Sequence, residues 1–227
     1  MKNFSKFAVL GAALAVSASL TATAHATSVS GEVWEGATSY PSALSSTPPA
    51  GTGSTFTVNG TGNLFNFVSG SSNNLILDPT YTLGGFLTSG GDTLSSVVLA
   101  SGVTLGDSIN NDVFEFTGVT VLTAGTTYTI NHDDGMYLFL TPAGGGSTVT
   151  AINSPNPTAS IPGSFTVGTT GAYNFEILYA EVNGAPAVLG GTLGTLASPV
   201  PEPNSLVLLG TGLMSAAGML FRRIRTA

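Results

Sequence analysis

Cysteine is absent from the 227 residues, and lysine and arginine are absent from everything between Thr27 and Val200. Without cysteine there is no disulfide and no thiolate metal site, which is compatible with an oxidising compartment. The five basic residues are Lys2, Lys6, Arg222, Arg223 and Arg225, all at the two extremes. Eleven of the twelve Asp and Glu residues, all but Glu202, lie in the body between them. That body therefore has a formal charge of −11, against −7 for the whole chain. Such a surface repels phosphate and anionic lipid, which argues against nucleic acid as a partner. Histidine is scarce too, with His132 alone in the body. A Ser-His-Asp triad would have to use it, no G-x-S-x-G elbow occurs, and a three-histidine zinc site cannot be built. Glycoside hydrolysis needs only two carboxylates, but no pair is singled out by spacing. Catalysis is not expected.

The two ends carry what the body lacks. Lys2 and Lys6 precede the apolar run Phe7 to Leu20, followed by "TATAHATS" with small residues at Ala24 and Ala26. A charged start, a short apolar middle and a small-residue cleavage site predict a secretory signal peptide over residues 1–26. At the far end, "VPEPNSLVLLGTGLMSAAGMLFRRIRTA" places a 16-residue apolar segment, Leu206 to Phe221, before Arg222, Arg223 and Arg225. As a helix it spans about 24 Å, and Asn204, Ser205 and snorkelling arginines extend its reach toward a ~30 Å hydrocarbon core. A transmembrane helix over 205–221 is expected. The arginines belong in the cytoplasm and the acidic body outside, the orientation that the signal peptide also implies. Pro201-Glu202-Pro203, the apolar helix and the arginine cluster closely resemble the PEP-CTERM sorting signal of exosortase-processed proteins. The resemblance covers 199–227. It implies recognition by a membrane-embedded sorting protease in a Gram-negative-type envelope, cleavage near Pro201-Glu202-Pro203, and an anchor that is transient. The released protein would belong to the cell surface or extracellular matrix.

Within the body, "PSALSSTPPAGTGST" (41–55) reads as a loop. Beyond it come short β-rich runs separated by Gly, Asn and Asp, among them "YTLGGFL", "DVFEFTGVTVL", "GMYLFL" and "AYNFEILYAEV". Tyr173, Phe175, Ile177 and Tyr179 fall on one face of a strand, with Asn174 and Glu176 on the other. Phe114 and Phe116 bracket Glu115 in the same way. Met136 to Leu140 is apolar on both faces, as suits a central strand. Roughly ten short strands without a sustained helical period predict an all-β fold, an antiparallel β-sandwich over residues 27–198.

One stretch in that body is conspicuous: "TYTINHDDGMYLFL" sets Asp133 against Asp134. Asp134-Gly135 suits a tight hairpin turn, since glycine tolerates positive φ and aspartate caps its own backbone. The second aspartate is left over. Two ionised carboxylates about 5 Å apart repel by roughly 3 kcal/mol at an effective dielectric of 20, so solvent or a cation must screen them. Clustered carboxylate oxygens are what calcium prefers. From spacing alone, a turn and a metal site both stand open.

The same stretch, followed by "SFTVGTTGAYNFEILYAEVNGAPAVL", resembles the protective-antigen-type β-sandwich of bacterial toxins, glycosidase accessory modules and flocculin adhesins. The match runs from about Thr117 to Leu193. Its markers are the D-D-G step before an apolar strand and the late strand ending Tyr179-Ala180-Glu181. In the adhesin branch the adjacent aspartates, joined by a cis peptide, bind a calcium ion that in turn binds sugar hydroxyls. Asp133 and Asp134 match that pair. Glu181 stands where the adhesins use an Asn ligand, and Asn183 is the other polar candidate. The resemblance implies calcium-dependent carbohydrate binding or adhesion to a glycan or exopolysaccharide. The alternative is a structural surface or matrix protein without a small ligand.

Overall fold

The computed structural model describes residues 27–39, 42–60, 65–69, 81–182 and 184–196. The expected signal peptide, the transmembrane helix, Asn183 and the tail residues Pro201, Glu202, Pro203, Arg222, Arg223 and Arg225 lie outside the described residues. Among the described residues no helix is long and apolar enough to cross a membrane.

The described residues build two antiparallel sheets. The larger runs β4 (Thr93–Val98), β2 (Ser54–Gly60), β1 (Thr27–Trp34), β5 (Asp112–Leu122), β10 (Gly171–Glu181), β7 (Met136–Pro142), β8 (Val149–Ser154), with the two-residue β12 (Thr195–Leu196) also paired to β5. The smaller runs β3 (Asn66–Ser69), β11 (Ala187–Gly191), β6 (Tyr128–His132), β9 (Ile161–Phe165). Their inner faces share one apolar core, in which Val29, Phe56, Phe116 and Ile177 of the large sheet meet Phe67, Ile130 and Leu189 of the small one. Strand alternation produces this layering, because successive side chains leave opposite faces. Tyr173, Phe175, Ile177 and Tyr179 are all buried, as their spacing predicts. Phe114 and Phe116 stack at 6.0 Å, and Phe67 lies against Phe116 at 5.1 Å.

The strand expected at "YTLGGFL" is instead a short helix, α1 (Leu83–Thr88). Thr82 caps it, its hydroxyl accepting the Gly85 N–H at 3.2 Å. Leu83, Phe86 and Leu87 are the buried positions, a three-and-four spacing that suits a helix and not a strand. Phe86 stacks on Tyr179 with ring centroids 5.9 Å apart, so α1 pins the end of β10.

The outer face of the large sheet has a small apolar cluster of its own. Trp34, Val113, Leu178 and Ala180 gather there with Leu44, and Tyr137 and Phe139 pack against them. Leu44 comes from the loop after β1, which crosses the sheet as a strap. Its N–H donates to Pro155 O at 2.8 Å, and Trp34 Nε1 donates to Gly51 O at 3.2 Å. Both faces of Met136 to Leu140 are thus accounted for.

Candidate functional site

The aspartate pair does not close a hairpin. β6 belongs to the small sheet and β7 to the large one, so residues 133–135 carry the chain across from one sheet to the other. The turn geometry differs from expectation as well. Positive φ falls on Asp134 (39°), while Gly135 is needed for space: a Cβ there would stand 2.6 Å from Pro155 O and 2.8 Å from Leu44 Cβ. Asp133–Asp134 is not a cis peptide; among the described residues Ala185–Pro186 is the cis bond.

A crossover between sheets is enclosed, and its polar groups must find partners inside the protein. The backbone does so across both layers. Asp133 N–H donates to Val188 O and Asp134 N–H to Thr158 O, each at 3.1 Å, and Ala180 N–H donates to Gly135 O at 2.8 Å. His132, wholly buried at the end of β6, lies 3.1 Å through Nδ1 from Asp133 O and 3.0 Å from Asp134 O. Two carbonyl oxygens can only accept, so Nδ1 carries the proton and donates to both. Its Nε2 has no partner among the described residues. His132 is therefore the clamp of the crossover.

Both aspartate side chains are 6% exposed. Asp133 Oδ1 accepts the Val188 N–H at 2.9 Å and lies 2.5 Å from the Tyr179 hydroxyl. Asp134 Oδ2 accepts the Val182 N–H at 2.7 Å. Each carboxyl thus commits one oxygen to the fold. Burial pushes Asp133 up to about 7 against the hydrogen bonds from Tyr179 and Val188, with the Asp134 charge adding to the rise. Burial likewise pushes Asp134 up to about 6, against the N–H groups of Val182 and Thr158.

Glu181 is tied to two tyrosines. It is fully buried, with Oε1 accepting the Tyr81 hydroxyl at 2.7 Å and Oε2 lying 2.6 Å from the Tyr179 hydroxyl. Tyr179 has one hydrogen and two carboxyl neighbours, Asp133 and Glu181. Burial, and then the Asp133 charge, hold the Glu181 carboxyl well above the usual range. The buried hydrogen bonds thus link Tyr81, Glu181, Tyr179 and Asp133 in one chain. Among the described residues no three His, Asp or Glu side chains stand together in an arrangement that could hold a metal ion.

The sequence reading missed the role of Tyr81, which reaches Glu181 across 100 residues of chain. It had the signal for Glu181: the alternation that buries Ile177 and Tyr179 continues inward to residue 181. Asp112, buried on the same parity as Phe114 and Phe116, carried the same signal.

Residues 199–225 match the family model described as the PEP-CTERM protein-sorting motif. No curated protein matches the chain. Among solved structures, it is similar to the PA14 domain of the antifreeze protein MpAFP (18% identity, TM-score 0.45, 80% of this chain and 87% of that one). It is similar to a PA14 sugar-binding domain from an RTX adhesin (22% identity, TM-score 0.41, 76% and 94%). It is also similar to an epithelial adhesin A domain from Candida glabrata in complex with β-lactose (9% identity, TM-score 0.35, 73% and 79%). The chain thus carries an exosortase-type sorting signal at 199–225 behind an antiparallel β body, and that signal marks a protein for export and for membrane-anchored sorting toward the cell surface.

Proposed function

We propose that this protein is an exported binding or adhesion module that holds a calcium ion at Asp133 and Asp134 and takes a carbohydrate ligand there. The observation that carries the reading is the aspartate pair itself. Two adjacent residues carry carboxyl groups, both 6% exposed, at a sheet-to-sheet crossover in a body that has no Lys or Arg to neutralise them. The donor set is all oxygen, which suits calcium and not a softer metal. Further oxygens would come from the loop that leaves β10, where Asn183 follows Val182, and from backbone carbonyls. Glu181 serves in this reading beneath the site, holding Tyr179 against Asp133. Bound calcium supplies open coordination positions that sugar hydroxyls can enter. The sorting signal fits a module that works outside the cell. After cleavage near Pro201-Glu202-Pro203, it acts at the surface or in the extracellular matrix of a Gram-negative-type envelope. The chemistry in this reading is binding, and the one body histidine is spent on the crossover.

The test is a glycan panel screened with the purified full chain, with and without calcium. Hits confined to the calcium arm are expected, whereas an empty panel in both arms would leave a structural surface protein. Calcium should also raise the melting temperature. A ligand that binds only the folded state contributes about 2.7 kcal/mol at a hundredfold excess over Kd. Asp133→Asn keeps an oxygen for Val188 and Tyr179 but removes the charge, so most of that shift should vanish. Equal calcium shifts in the two chains would reject the metal site.

A further inference from the structure

The outer face of the large sheet, beyond the strap, carries a groove of about 420 Å³. Its floor is a lattice that strand register dictates. Thr117 of β5, Glu176 of β10 and Phe139 of β7 stand in one cross-strand row, and Val119, Asn174 and Thr141 stand in the next. Thr148, whose hydroxyl is 2.7 Å from that of Thr141, closes one end. The Phe139 ring is held in place from behind, stacked on Tyr137 at 5.7 Å with 9° between the planes. An aromatic face ringed by a carboxylate, an amide and three hydroxyls has the composition of a small-ligand site, and the volume lies within the usual range of roughly 300–1,000 Å³.

The charge around the groove selects among ligands. Glu115 stands on the same face, directly opposite Glu32 of β1 and diagonal to Glu176. Like charges on neighbouring strands destabilise a sheet. Glu115 is held above the usual carboxylate range by burial first, then by the charges of Glu176 and Glu32. Glu32 has found a partner, its Oε1 accepting the Gly53 N–H at 2.5 Å, but no lysine or arginine exists between Thr27 and Val200 to relieve the row. Uronic acids and sulfated sugars are repelled here. A cation is attracted.

We infer that this groove is a second sugar site, independent of metal, for a hexosamine with a free, protonated amine. The pyranose ring lies on the face of Phe139, its ammonium donates to Glu176 within the field of Glu115, and its hydroxyls meet Asn174 and the threonines. Ring stacking on an aromatic face and a charge-assisted hydrogen bond are each favourable in a half-buried groove. The site is on the outer sheet face and needs no calcium, so it stands or falls apart from the aspartate pair.

The experiment is calorimetric titration of the purified full chain, at pH 6 in chelator, with a β-1,4-linked glucosamine tetramer and with its fully N-acetylated counterpart. The free amine should bind, and acetylation, which removes the charge, should weaken binding by about tenfold or more. Glu176→Gln should weaken the glucosamine tetramer by a similar factor while narrowing the gap between the two oligomers. Phe139→Leu, which keeps the apolar packing and loses the ring, should weaken both. Glu176→Gln is nearly isosteric, so its melting temperature serves as the folding control. No binding, equal affinity for the two oligomers, or a Glu176→Gln chain that binds glucosamine as well as the parent would each overturn the proposal. Failure of the calcium-dependent panel would leave these arms untouched, because they are run in chelator.

Discussion

Asp112 opens β5 opposite Glu181 and is 1% exposed. Its Oδ1 accepts the Gly36 N–H at 3.0 Å, and its Oδ2 has no partner among the described residues. Burial pushes this carboxyl up to about 7 against the Gly36 hydrogen bond, with Glu35 and Asp107 adding smaller rises. A folded-state pKa raised from 3.8 means that the folded chain holds a proton the unfolded chain has released. The stability from this group is therefore complete below about 3.8 and is lost as pH rises through about 7. Asp112→Asn keeps an acceptor for Gly36 and cannot ionise. Melting temperatures in chelator from pH 4 to 8 should show the Asn chain gaining on the parent as pH rises; a gap that stays constant would show that Asp112 does not titrate in this range. Tyr179→Phe is a second residue-scale expectation. It strips Asp133 and Glu181 of a shared partner inside the protein, so urea titration should show a loss of about 1–3 kcal/mol. Alternation made the burial of residues 112, 179 and 181 legible in advance. What each side chain would face was not legible, because Tyr81 arrives from just before α1, Asp133 from the crossover between the sheets and Gly36 from the turn after β1.

Elements were readable where a period ran long. β10 and β5 run eleven residues each, and where apolar and polar residues alternate, at 173–176 and 114–117, the faces came out as the spacing required. Two short elements did not. "YTLGGFL" has too few residues to separate a period of two from one of 3.6, and the Thr82 cap together with the packing of Phe86 on Phe114 decided for α1. The D-D-G step has the composition of a hairpin, yet its flanking strands pair with different neighbours. A local turn propensity cannot say which sheet the next strand joins. The crossover yields its own test. Gly135→Ala drives a methyl against Pro155 O and Leu44, and the first of these is backbone that cannot rotate away. The loss should be about 1–3 kcal/mol by chemical denaturation, as for other overpacked sites. A loss within about 0.5 kcal/mol, the range of neutral surface changes, would mean that the crossover relaxes easily.

For the whole molecule, function depends on delivery as well as on the site. The sorting signal at 199–225 joins a Pro-Glu-Pro step to an arginine cluster across an apolar segment. In a host with a cognate exosortase, Glu202→Ala or the pair Arg222→Ala and Arg223→Ala should leave the chain unprocessed or mis-sorted. Intact-mass spectrometry of the envelope and secreted fractions reads the outcome, and an unchanged mature mass in those variants would remove the processing step. The acidic body suits this route. With no basic residue between Thr27 and Val200, it is repelled by anionic lipid once outside.

The sequence by itself determined the sorting signal, because it is a linear pattern of residue types in which spacing along the chain carries the information. It also determined the all-β class and the inner faces of the long strands, since a period of two is written residue by residue. Tertiary structure alone decided that Asp133 and Asp134 bridge two sheets, that Glu181 is tied to two tyrosines, and that Thr117, Glu176 and Phe139 form one row of an open groove. Each of those facts depends on which strands become neighbours. That choice is made by burial of the whole core, a sum over side chains far apart in sequence, and no single stretch contains it.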